Sequence, residues 1–135
     1  MTDGRYRVTR DSARILAASG VLLALATLLG AFGAHALRGE MSAERLSVYL
    51  SADRYQFFHS LGLLGVGLAA RDVTVALLRW AAMLLFLGIV LFCGSLYALS
   101  FGAPEVLGAL TPLGGLMLVA GWICFAIAMW RAGSR

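Results

Sequence analysis

The chain alternates long uncharged runs with short charged connections. Residues 15–37, 55–70, 80–104 and 106–130 contain no Asp, Glu, Lys or Arg. A helix rises about 1.5 Å per residue and the hydrocarbon core of a bilayer is about 30 Å thick, so roughly 20 residues are needed to span it. Three runs meet that length. The second reaches only roughly 24 Å by the same rise, so it would thin the bilayer or draw its charged ends inward. The pattern predicts an all-α membrane protein, a four-transmembrane-helix bundle, with helices over about 15–37, 55–70, 73–101 and 106–130. It divides the chain into an arginine-rich head, 1–14, and a transmembrane domain, 15–135.

The connections add detail. Ser42 can cap a short helix in which Leu46, Tyr49 and Leu50 share one side, leaving Glu44, Arg45 and Asp53 to water. Residues 42–52 are therefore expected to lie along the membrane–water interface. Asp72 is placed to cap the third helix, and the short connection Gly102-Ala103-Pro104-Glu105 makes helices three and four antiparallel neighbours. Pro112 lacks a backbone donor and predicts a kink in the outer third of the fourth helix.

Small residues mark where helices can approach closely. Ala26, Gly30 and Ala34 recur every four residues on the first helix. Gly62 on the second, Gly88 and Ser95 on the third, and Gly114 and Gly121 on the fourth extend that packing set. His59-Ser60-Leu61-Gly62 echoes Thr111-Pro112-Leu113-Gly114, and Gly33-Ala34-His35-Ala36-Leu37 echoes Ser95-Leu96-Tyr97-Ala98-Leu99. Both point to two tandem helical hairpins.

Composition agrees with a membrane chain: 61% apolar, 13% charged and 16 glycines. The net charge of +4 comes from 11 arginines and no lysine. They flank the runs instead of gathering into a patch, which excludes a nucleic-acid partner and fits the positive-inside rule. Arg5, Arg7, Arg10, Arg14, Arg71, Arg79, Arg131 and Arg135 fall on one side, and Arg38, Arg45 and Arg54 on the other. That bias places both termini in the cytoplasm. Cys93 and Cys124 differ in depth by roughly 15 Å, so no disulfide is expected. Ala34-His35-Ala36 imitates a signal-peptidase site, but the preceding run is too long for a signal peptide.

Candidate chemistry is sparse. Counted inward from the nearest outer boundary, His35, His59, Tyr97 and Thr111 each lie about 5 to 9 Å deep, one per helix, with Gln56 and Arg54 just above. Polar groups at that depth face the bundle interior. The layer either ties helices together by hydrogen bonds or forms a small outward-facing site, a histidine proton relay being one version. Two histidines without a Cys, Asp or Glu cluster make no metal site. No nucleophile has a base and an orienting group, and no phosphate loop or dinucleotide fingerprint is present. No enzyme activity, cofactor or metal is expected.

Several motifs carry a family resemblance. Gly30-Ala31-Phe32-Gly33-Ala34-His35-Ala36-Leu37, Arg54-Tyr55-Gln56-Phe57-Phe58-His59 and Phe92-Cys93-Gly94-Ser95-Leu96-Tyr97 resemble the "domain of unknown function 423" family. Leu110-Thr111-Pro112-Leu113-Gly114-Gly115 and Ala120-Gly121-Trp122 fit it too, so the resemblance covers about residues 15–130 in order. That family includes YgdD-like bacterial inner-membrane proteins and transmembrane protein 256. It implies a small four-helix inner-membrane protein and supplies no catalytic residues. Its pattern looks to include His35, His59, Arg54, Gln56 and Thr111-Pro112, whereas Phe58 withholds a hydroxyl that relatives often place there. The expected role is a non-enzymatic accessory or scaffold protein packing with a membrane partner or a second copy. The alternatives are an oligomeric transporter or channel using the histidine layer, and an outer-leaflet lipid binder using Arg38, Arg54 and Tyr49.

Overall fold

The first helix begins where Thr9 accepts a hydrogen bond from the backbone N–H of Ser12 at 3.1 Å. A computed structural model describes residues 8–134, so Arg5, Arg7 and Arg135 lie outside the described residues. Four helices follow one another: α1 Arg10–His35, α2 Ala43–Ala69, α3 Ala76–Ser100 and α4 Leu110–Gly133. A 3₁₀ segment, Glu105–Ala109, leads into α4. No strand forms among the described residues. Three helical stretches are long and apolar enough to cross a membrane: Arg10–His35, Ala76–Ser100 and Glu105–Gly133.

The element boundaries correct the sequence reading in four places. Residues 10–14 of the arginine-rich head are helical, because Thr9 caps upstream of them. Residues 42–52 are not a separate interfacial helix but the opening turns of α2, whose 27 residues extend roughly 40 Å. Ser42 caps it as expected, accepting from Arg45 N at 3.3 Å. The helix then continues through Asp53 and Arg54, which removes the expected shortness. Asp72 caps nothing: α3 starts after Val75, which makes no side-chain cap. Pro112 sits in the first turn of α4, where a missing N–H costs least, and the change in helical winding falls upstream in the 3₁₀ segment.

α1 packs on α2, α2 on α3 and α3 on α4, each pair antiparallel, so α1 and α4 share no extended face. Both ends of the described chain lie at one end of the molecule, here the terminal end. The 36–42 and 101–109 connections lie at the far end. The α3–α4 contact alternates large and small side chains. A Cβ on Gly88 would lie 2.7 Å from Leu118, one on Gly121 would lie 2.9 Å from Leu85, and one on Gly114 would strike the backbone of Phe92. These pairs step along both helices by three and four residues, and Ser95 and Thr111 close the row with a 2.6 Å hydrogen bond. The core continues towards the terminal end through Leu63, Val66, Leu78, Ala81 and Ala128, all buried.

Candidate functional site: a polar seam along α2

The inner face of α2 changes character halfway along. Tyr49, Asp53, Gln56 and Ser60 recur at four, three and four residues, one helix face by periodicity, and that face is wedged between α1 and α3. Tyr49 and Ser60 are fully buried, and Gln56 is 5% exposed. After Ser60 the same face becomes Leu63, Val66 and Ala70, part of the apolar core. The far half of this α2 face is therefore lined with polar side chains, and α2 is not among the helices long and apolar enough to cross a membrane by composition.

Two seam residues fix the register against α1. Tyr49 donates its hydroxyl to the carbonyl of Leu29 at 2.7 Å, and Gln56 Nε2 donates to the carbonyl of Leu22 at 3.0 Å. Donors seven residues apart on α2 thus meet acceptors seven residues apart on α1. Each carbonyl is also the helical acceptor expected for a residue four positions on, Ala26 or Gly33, and both are buried. Small side chains there let α2 come close enough to share the carbonyls. Gly33 also receives the Tyr49 ring, since a Cβ on it would lie 2.6 Å from Tyr49 Cε1.

Asp53 points into this interface, not to water as the sequence reading expected. A Cβ on Gly30 would sit 2.8 Å from Asp53 Oδ2, so Gly30 is the notch that admits the carboxyl. Across from it, Tyr97 of α3 lies within electrostatic reach, as does Cys93. Asp53 Oδ1 and the Tyr97 hydroxyl are both buried, and the hydroxyl is the donor that can reach the carboxyl across the α2–α3 interface. Tyr49 and Tyr97 meet edge to face at 5.0 Å, and Phe101 adds a second edge contact to Tyr49 at 5.9 Å.

The expected transverse layer of His35, His59, Tyr97 and Thr111 does not assemble. His35 is exposed at the last turn of α1. His59 lies three residues beyond Gln56, level with the middle of α1, which puts it roughly 20 Å along the helix axis from His35. Its Nδ1 meets the Tyr55 carbonyl at 2.8 Å, its ring stacks on Tyr55, and Trp122 lies 6.3 Å away. Thr111 pairs with Ser95, and Arg54 is exposed. The depth count failed because it set the outer boundary of α2 at Arg54, whereas the helix continues about three turns further. Of the packing set, Ala26, Gly62, Gly88, Ser95, Gly114 and Gly121 all face a neighbouring helix, Gly62 being covered by the Trp122 ring. Ala34 is exposed. Among the described residues no group of three His, Cys, Asp or Glu side chains could hold a metal ion, and both cysteines are free.

The sequence of a protein family described as "Protein of unknown function (DUF423)" matches residues 29–115. The chain belongs to this family. Its matched region holds every residue of the seam and its aromatic partners Tyr97 and Phe101. The UPF0382 membrane protein of Staphylococcus haemolyticus is 43% identical over 115 residues, covering 82% of this chain and 93% of the relative. The UPF0382 membrane protein of Staphylococcus epidermidis RP62A is 44% identical, over 84% and 91%. The UPF0382 membrane protein YwdK of Bacillus subtilis is 43% identical, over 84% and 92%. No solved structure matches the chain. Family membership thus establishes a membrane protein, and the seam is the feature whose chemistry needs an account.

Ser60 offers a simple probe of the seam. Its Oγ is buried without a partner, and such a group costs about 1–3 kcal/mol of stability. Ser60→Ala is therefore expected to raise the midpoint of thermal unfolding in detergent. A lowered midpoint would show that the hydroxyl is satisfied after all.

Proposed function

We propose that this protein is a non-enzymatic accessory or scaffold protein of the bacterial inner membrane. It crosses four times with both termini in the cytoplasm and packs through α1 against a membrane partner or a second copy. One observation carries the reading. Ala13, Ala17, Gly20, Ala24, Thr27, Ala31 and Ala34 repeat at four and three residues along the whole of α1, and all are exposed. Beside this small groove runs a ridge of Val21, Leu25, Leu28 and Phe32, also exposed. A groove flanked by a ridge is the surface on which a second helix can approach closely in lipid, and among the described residues no helix covers it. Arg10, Arg14, Arg71, Arg79 and Arg131 gather at the terminal end against Arg38, Arg45 and Arg54 at the far end, which supports cytoplasmic termini. Membrane lipids cover the remaining apolar surface, and no cofactor, metal or nucleic acid enters.

Native mass spectrometry from lipid nanodiscs tests this reading. The wild type is expected as an oligomer or with a co-purifying membrane protein. Gly20→Ile combined with Ala24→Ile is expected to release a folded monomer. A wild type that is strictly monomeric and free of partners would overturn it.

A further inference from the structure

We propose that the groove between α1 and α3 at the terminal end is a binding site for one anionic phospholipid of the adjoining leaflet. This does not rest on the scaffold reading, which uses another face of α1. α1 and α3 both pack on α2 and share no extended face, so they leave a furrow over α2. At the terminal end the furrow widens into a groove of about 530 Å³. Leu63 of α2, buried, is its floor. Ile15 and Ala18 of α1 form one wall, and Met83 and Phe86 of α3, both exposed, form the rim of the other.

The lining changes from charged to apolar along the bundle axis. Arg79 lies in the opening turn of α3, and Met83 and Phe86 follow about 6 and 10 Å deeper. On α1, Asp11 and Arg14 precede Ile15 and Ala18 in the same direction. Below the charged level no lining side chain carries a nitrogen or an oxygen. Trp80, exposed beside Arg79, marks that level as the membrane–water interface. The groove therefore suits a molecule that is polar at one end and hydrocarbon at the other.

The polar end must be an anion. Two guanidiniums, Arg14 and Arg79, stand against one carboxylate, Asp11, which leaves a positive charge in excess. The Arg79–Asp11 pair is loose, 3.7 Å apart, where a charge-assisted hydrogen bond spans about 2.8 Å. Arg79 thus keeps forked donors for a phosphate, and basic pockets between transmembrane helices take acidic headgroups in this way. A second cavity of about 300 Å³ adjoins at Asp11, Ile15 and Arg79, where Thr9 and Thr74 offer hydroxyls to a glycerol headgroup. A partner helix fits this place poorly. The small residues that would seat it, Ala17 and Gly20, lie about 200° round α1 from Ile15 and Ala18.

Native mass spectrometry of the full chain titrated with phosphatidylglycerol reads the site. One molecule per chain is expected to bind well ahead of phosphatidylethanolamine. Arg14→Gln and Arg79→Gln should each weaken that binding about fivefold. Arg131→Gln removes an equal charge at the same end but outside the groove, and should leave it unchanged. Excess glycerol phosphate, the headgroup without its chains, should not displace the lipid. The wild type gives a second readout that needs no variant to fold. Phosphatidylglycerol with a diazirine in its acyl chain, carried in phosphatidylethanolamine vesicles, should crosslink to Met83 and Phe86 ahead of Val119 and Ile123, which are exposed on α4. Equal labelling of the two faces would mean surrounding lipid only and would overturn the proposal. So would equal binding of the two lipids, an equal effect of all three arginine changes, or displacement by glycerol phosphate, which would mark a site for a free phosphate.

Discussion

Tyr49→Ala is expected to cost about 3–5 kcal/mol of stability, the range for removing a fully buried aromatic side chain. The ring fills the space left by Gly33, touches Tyr97 and Phe101 edge to face, and carries the hydroxyl that donates to Leu29. Removing it opens a cavity where three helices meet and cuts one of the two hydrogen bonds that hold α2 in register on α1. Tyr49→Phe keeps the ring and should cost about 0.5–1.5 kcal/mol, the net worth of one hydrogen bond. Unfolding in detergent followed by circular dichroism separates the two. A Gly33→Ala partner mutation sharpens the test, since its methyl clashes with the Tyr49 ring and has room once the ring is gone. The pair should therefore show coupling of about 0.5–3 kcal/mol. Additive losses would mean that the ring does not depend on the Gly33 notch.

The four helices were legible because uncharged runs of spanning length have few other uses. The course of α2 was not. Glu44, Arg45, Asp53 and Arg54 read as a boundary because a charged side chain is taken to mark water, and three of them do point outward. Asp53 is the exception that breaks the rule. Its inward turn depends on Gly30 across the helix interface, a contact with no trace in local hydropathy. A signal existed all the same: polar residues at 49, 53, 56 and 60 keep the spacing of a buried helix face. They are a stripe along one helix, whereas the search by depth looked for a layer across four. Gly30 shows the same limit. The sequence marks it as a close-packing glycine, but only its neighbour reveals that the space is occupied by a carboxyl and not by a second backbone.

The glycines of α3 and α4 give the other large expected effect. At Gly114 an added Cβ would strike the backbone nitrogen, Cα and Cβ of Phe92, atoms that cannot swing aside as a side-chain tip can. Gly114→Ala should therefore cost about 1–3 kcal/mol, and Gly114→Leu more, enough to part α4 from α3. Gly94 lies on α3 with nothing within 4 Å of an added Cβ. Gly94→Ala relieves the entropy cost of glycine in a helix and should stabilise by about 0.5–1 kcal/mol. The same chemical change thus has opposite signs at two glycines on facing helices. Thermal unfolding of the two variants in one detergent checks it. If both substitutions shifted stability the same way, the α3–α4 contact would not be set by backbone approach at Gly114. The alternation of Leu85, Gly88 and Phe92 with Gly121, Leu118 and Gly114 would then lose its physical basis.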